Sequence, residues 1–148
     1  MTRLRETLLE NRTIVQPNHA NMLDTAHGGN VMKWMDEVGA MSAMRFAGET
    51  CVTARMNRVD FESPVRVGDT ALIEAYVYAA GTSSVRVRVK TYRENLTTGE
   101  TQPTADSFLV YVAVDDDWNT VSVPELRVDS DRERKLRDEA LAGENGGD

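Results

Sequence analysis

The stretch NVMKWMDEVGAMSAMRFAG, residues 30–48, constrains this chain more than any other part of it. Val31, Trp34, Met35, Val38 and Met41 or Ser42 recur at i, i+3, i+4 and i+7, the spacing of one face of an α-helix. The other side carries Met32, Gly39, Ala40 and Ala43 in place of a charged stripe. A helix apolar nearly all round has to be covered by other parts of the chain. Gly48 supplies a C-terminal stop.

What covers it follows from the next hundred residues, where the period changes to 2. Residues 51–61 (CVTARMNRVDF) are rich in β-formers, and 70–79 (TALIEAYVYA) follow a Gly68-Asp69 turn. In residues 84–92 (SVRVRVKTY), Val85, Val87 and Val89 fall on one face and Arg86, Arg88 and Lys90 on the other. Ala80-Gly81-Thr82-Ser83 fits a hairpin turn, Asn95–Gly99 another, and 104–114 (TADSFLVYVAV) reads as the last long strand. Upstream, Thr13-Ile14-Val15 reads as a first strand that stops before Pro17, and residues 16–28 as a loop. The expected architecture is α+β: five antiparallel strands curled round one central helix spanning about 28–46. Ser130 and Glu133 form a capping box for a nearly all-charged helix over roughly 131–142, on the surface or against a partner. The organisation expected is a polar arm (1–12), one domain (13–127), and a charged helix with a loose tail (128–148).

Composition narrows the function classes. A chain of 148 residues with 41% apolar content suits a single globular domain. It holds no apolar run long enough for a membrane span, and its start, MTRLRETLLENRT, lacks a signal-peptide core, so the cytoplasm is the expected location. One cysteine, Cys51, and two histidines, His19 and His27, argue against a disulfide or a structural metal site. A net charge of -7 weighs against nucleic-acid binding. Three lysines stand against fourteen arginines among the 17 cations, a bias that with the excess acid suits a very salty, halophilic cytoplasm. An ordinary acidic protein fits the composition too.

HANMLDTAHGGNVMKWMDEVGA, then CVTARMNRVDFESPVRVGD, then GTSSVRVRVKTY resemble, in this order, the acyl-CoA thioesterases of the hot-dog superfamily. The likeness runs over roughly residues 13–125 and is closest to the long-chain acyl-CoA hydrolases with an HGG…MDE helix. The resemblance implies a hot-dog fold and hydrolysis of fatty acyl-CoA to free fatty acid and CoA, a step of fatty acid metabolism. It implies no cofactor beyond the CoA of the substrate. It also implies subunits paired sheet edge to edge, active sites between them, a homodimer as the minimal unit and a hexamer built as a trimer of dimers.

The residues support that chemistry in their own right. Gly28 and Gly29 open the helix, where backbone N–H groups lack intrahelical partners and a glycine lets a substrate oxygen approach. Asp36 lies two turns in, among Met32, Gly39, Ala40 and Ala43, small or apolar surroundings that suit a base and leave room for a substrate. The resemblance matches the family's catalytic aspartate to Asp36, as general base or nucleophile. Glu37 is the rival acid. Thr25 stands where some relatives keep Asn or Asp, so it can hydrogen-bond but not act as a carboxylate. His27 orients the loop or the substrate, or caps the helix. Asn21 reads as a loop residue. For the CoA phosphates, Arg86, Arg88 and Lys90, beside Ser83 and Ser84, offer a basic patch, with Arg55 and Arg58 behind them. A solvated strand face, or arginines paired with acids, explains the same pattern. Two rival functions stay open: a hydroxyacyl dehydratase or enoyl hydratase, and a non-enzymatic acyl-CoA-binding sensor.

Overall fold

The computed structural model describes residues 2–145. A two-residue strand β1 (Thr2–Arg3) leads through a 3-10 turn (Leu4–Thr7) into β2 (Leu9–Ile14). The long helix α1 (Gly28–Ala47) follows, then β3 (Thr50–Phe61), β4 (Thr70–Ala80), β5 (Ser84–Glu94) and β6 (Thr101–Val114). The chain ends in a short strand β7 (Leu126–Arg127) and helix α2 (Asp131–Asn145). The main sheet is antiparallel throughout, in the order β2-β4-β5-β6-β3. β1 pairs with β7 in parallel, as a separate ribbon.

The sheet curls round α1 as the sequence requires, and the means of curling is visible. The β3–β6 register skips a residue after Thr53 and again after Asn57. Further shifts skip a residue of β4 after Val77 and Thr104 of β6, opposite Thr91 and Tyr92 of β5. Each bulge bends its strand and adds twist, so an extended ladder becomes a cradle. Val85, Val87 and Val89 are fully buried on the inner face, against Met35, Val38 and Phe46 of α1. Gly48 adopts φ 68, the left-handed stop expected of it.

Three features differ from the sequence reading. The first strand of the main sheet starts at Leu9, not Thr13, because an edge strand tolerates the polar run Leu9–Arg12, which lacks a buried-face alternation. The residues before it are tied in: Leu4 and Thr7 are buried, Ser42 Oγ donates to the Thr7 carbonyl at 2.7 Å, and Val77 N donates to Thr7 Oγ1 at 3.0 Å. Lastly, α1 is covered on one side only. Met32, Met41 and Met44 remain 36%, 43% and 37% exposed, because five strands wrap only part of the helix.

α2 lies on the convex face of the sheet. The expected capping box is formed: Glu133 N donates to Ser130 Oγ at 3.1 Å, and Ser130 N to Glu133 Oε1 at 3.1 Å. Ala140 and Leu136 close a second apolar cluster with Leu4, Tyr76, Tyr78 and Phe108. The helix runs on to Asn145, and residues 146–148 of the expected loose tail lie outside the described residues. No helix among the described residues is long and apolar enough to cross a membrane.

Candidate active site

Asp36 faces the inner side of the sheet at the β3–β6 ladder. Its Oδ1 accepts a hydrogen bond from Thr53 Oγ1 at 2.7 Å and another from the Tyr111 hydroxyl at 3.0 Å. The same Tyr111 hydroxyl lies 2.9 Å from the Asp36 backbone carbonyl oxygen, so its proton is shared between the two acceptors. No donor among the described residues reaches Oδ2. Burial, and then the neighbouring Asp36 carboxylate, push the Tyr111 phenol well above its ordinary value, so it keeps its proton and remains a donor.

The local sequence explains this meeting. Thr53 and Tyr111 are direct partners in the ladder, and the bulge follows immediately after Thr53. Bulges beside a site re-aim the side chains next to them. Gly39, one turn on from Asp36, lets the helix approach: a Cβ there would sit 3.2 Å from Val89 Cγ2 and against the Tyr111 hydroxyl. The space that the small residue leaves is therefore filled by Tyr111, where the sequence reading reserved it for a substrate. Glu37, the rival acid, is exposed and makes no hydrogen bond or ion pair among the described residues.

At the helix start, His27 is the N-cap. Its Nδ1 accepts from Gly29 N at 3.0 Å, so the capping role applies and the Gly29 N–H is occupied. The Gly28 N–H has no acceptor among the described residues. The Phe61 ring, half-exposed, flanks Gly28. In the preceding loop, Asn21 Oδ1 accepts from Leu23 N at 2.9 Å, Thr25 N at 3.3 Å and Thr25 Oγ1 at 3.2 Å. The Thr25 hydroxyl is thus spent on Asn21, in an Asx-type clamp. The Asn21 amide nitrogen has no acceptor among the described residues.

The structure does not bring the basic patch to Asp36. Arg86, Arg88 and Lys90 project from the convex face, on the other side of the sheet. Arg86 pairs with Glu144 at 3.3 Å. Arg88 pairs with Asp106 at 2.9 Å and stacks over Phe108, 5.2 Å from the ring centroid. Lys90 forms no ion pair among the described residues and borders an open groove of about 400 Å³ with Tyr76, Tyr92 and Arg132. Ser83 and Ser84 sit at the β4–β5 hairpin, whose Gly81 N donates to the Ser84 carbonyl at 2.9 Å. Arg58 lies in a β3 bulge at φ 49, paired with Asp60 at 2.7 Å.

Thr53 and Tyr111 are the partners of Asp36 at this candidate site that sequence reasoning missed. The available signal was a polar side chain on the inward-facing row of each strand, but placing them together requires the register.

Comparison with known proteins fits this geometry to a lineage. Residues 23–100, more than half the chain, match the thioesterase superfamily. The chain belongs to that superfamily. Among members of the superfamily, the uncharacterised acyl-CoA thioester hydrolase YkhA of Bacillus subtilis is 36% identical over 141 residues, which is 95% of this chain and 82% of that one. The acyl-CoA hydrolase of Staphylococcus aureus, solved in complex with butyryl coenzyme A, coenzyme A and coenzyme A disulfide, superposes with a TM-score of 0.88 at 33% identity, over 95% of this chain and 85% of that one. That hydrolase has also been solved as three single alanine variants, of an asparagine, an aspartate and a threonine, spaced 15 and then 17 residues apart. An apo-hexameric acyl-CoA thioesterase superposes with a TM-score of 0.86 at 34% identity, over 96% of this chain and 92% of that one. The hot-dog architecture expected of this thioesterase-superfamily chain is the one observed.

Proposed function

We propose that this chain is an acyl-CoA thioesterase that hydrolyses fatty acyl-CoA to a fatty acid and CoA, with Asp36 as its catalytic carboxylate. The observation that carries the reading is the Asp36 carboxylate itself, held at Oδ1 by Thr53 and Tyr111 with Oδ2 left without a protein donor. The Staphylococcus aureus variants support it. Asn21, Asp36 and Thr53 repeat the same residue types at the same intervals, 15 residues and then 17.

Oδ2 either takes a proton from water as that water attacks the thioester carbonyl, the C–S bond then breaking and the proton passing to the departing CoA sulfur, or attacks the carbon directly, releasing CoA thiolate and leaving an acyl anhydride that water hydrolyses. The Gly28 N–H polarises the carbonyl oxygen, a contribution of roughly 3–4 kcal/mol for one such donor. Gly29 adds its own N–H only where His27 releases it. Nothing beyond water and the CoA of the substrate enters this scheme.

One chain does not complete the site. Gly28 and Asp36 are eight residues apart on one helix, about 12 Å of rise, whereas reacting groups have to converge to within about 3–3.5 Å. A two-fold pairing of β3 edges resolves this, setting Gly28 of one protomer against Asp36 of its partner. β3 is an edge strand, and Met32, Met41, Met44 and Phe61 lie uncovered. The homodimer is the minimal active unit, and the hexameric neighbour supports a trimer of dimers. The CoA phosphates meet cations brought together by that assembly, with Lys90 and the Ser83-Ser84 hairpin as this chain's contribution.

The test is release of free thiol from acyl-CoAs of short to long chain, in low and in molar salt, with enoyl-CoA as a control. Thiol release that the Asp36→Asn variant lacks is the expected result. Loss of enoyl absorbance without thiol would assign a hydratase instead, and tight acyl-CoA binding with no turnover would assign a sensor.

A further inference from the structure

We infer that Tyr111 is a positioning residue that fixes which oxygen of the Asp36 carboxylate reacts; this rests on the reading of Asp36 as the catalytic group. Thr53 and Tyr111 both load Oδ1, at 2.7 and 3.0 Å. An oxygen with two donors has its lone pairs engaged and is the poorer base, so reaction passes to Oδ2. Thr53 alone is a weak fixture, since it is exposed on an edge strand. Tyr111 is fully buried, its ring is fixed in the core cluster, and its hydroxyl bridges the Asp36 side chain to the Asp36 backbone carbonyl. That bridge restrains both side-chain torsions of the carboxylate. Gly39 keeps the route open, since any side chain there would push the hydroxyl away.

The plainer alternative is a core tyrosine that has merely found an acceptor for its hydroxyl. The two differ in what the hydroxyl does for the carboxylate. A donor on Oδ1 favours the ionised form, so its loss moves the acid limb of the activity profile to higher pH. Other titratable groups lie on the two elements that carry Asp36 and Thr53. The Cys51 thiol on β3 is pushed up to about 11, by burial and then by Glu49. Lys33 and Glu37 are exposed on α1.

The experiment compares Tyr111→Phe, Gly39→Ala, the double variant and Asp36→Asn, each as the full chain, by steady-state acyl-CoA hydrolysis across pH. Tyr111→Phe keeps the ring. It is expected to lower kcat roughly tenfold to a hundredfold with KM within about twofold, and to shift the acid limb of kcat/KM upward. Gly39→Ala is expected to do the same by displacing the hydroxyl, yet to cost little more in the Tyr111→Phe background, because both act on one contact. Should Tyr111→Phe not fold, the limb shift in Gly39→Ala decides the matter. An unchanged kcat and pH profile in Tyr111→Phe, with Asp36→Asn inactive, overturns the role of Tyr111 and leaves Asp36 standing. Near-normal turnover in Asp36→Asn overturns the reading of Asp36 itself.

Discussion

Thr53 and Tyr111 face each other directly across the β3–β6 ladder and donate to the same oxygen of Asp36. Thr53 supplies the shorter of the two bonds, 2.7 Å. Thr53→Ala is therefore expected to lower kcat at least roughly tenfold with little change in KM, and Thr53→Ser, which keeps the hydroxyl, to restore most of the loss. Steady-state thiol release measures both. A Thr53→Ala enzyme with wild-type kcat would show that the carboxylate needs no help from β3.

The two acids of the MDE motif should separate cleanly. Asp36 is gripped by two strands, while Glu37 is exposed and unpartnered among the described residues. Asp36→Asn keeps the shape and removes the base, and is expected to lower kcat by at least roughly a hundredfold. Glu37→Gln is expected to stay within about twofold of wild type. The reverse ranking, measured under identical conditions, would move the chemistry to Glu37.

The fold was largely legible because its signals are local and redundant. The Val31, Trp34, Met35, Val38 row declares a helix, and the Val85, Val87, Val89 row declares a strand with one buried face. The candidate site was legible only in part. Asp36 stood out as a carboxylate in apolar company, but Tyr111 lies 75 residues away from it and depends on a register that a bulge shifts. No local pattern predicts that register. The convex-face arginines illustrate the same limit: their acids, Glu144 and Asp106, come from a different helix and a different strand. The His27 bond to Gly29 is a rotamer choice, and it changes which glycine N–H is free.

Glu133 ties the chain's two ends together and should make stability depend on pH. Its carboxylate is buried and accepts from Arg5 N at 3.0 Å, Ser130 N at 3.1 Å and Ser130 Oγ at 2.9 Å. Burial opposes ionisation, but the donors of Arg5, Ser130 and Asp129 outweigh it and hold the carboxyl below the usual glutamate value. A depressed carboxyl contributes stability above the unfolded-state value of about 4.3 and loses it as the pH falls through the folded-state value. Urea midpoints should fall over that acid window in the wild type and less steeply in Glu133→Gln. At pH 7 that variant should lose about 1–3 kcal/mol. Parallel pH curves for the two proteins would count against the carboxylate.

Arg88 is committed to the fold. It holds Asp106 at 2.9 Å and stacks over Phe108, with both partners of the ion pair largely buried. Arg88→Ala strands Asp106 and should cost about 1–3 kcal/mol in urea denaturation. At a temperature where the variant is folded, its KM for acyl-CoA should stay within about twofold of wild type. A KM that rises several-fold without loss of stability would return Arg88 to the CoA site.

A site shared between protomers has a distinctive signature. Asp36→Asn destroys the carboxylate half. Gly28→Val screens the free backbone N–H with a branched side chain, at a position whose φ is ordinary and where a built Cβ meets nothing nearer than Phe61, 3.7 Å away. Each homodimer should be nearly inactive. In a mixed dimer, Gly28 of the Asp36→Asn chain faces the intact Asp36 of the Gly28→Val chain, so one of the two sites is whole. A dimer that carries both chains therefore keeps half of its sites, and its activity should return to about half of wild type. Co-expression with two different tags, purification over both, and thiol-release assay of the doubly tagged fraction would measure it. A doubly tagged fraction as inactive as its parents would place both halves of the site in one chain, and the separation along α1 would then need another explanation.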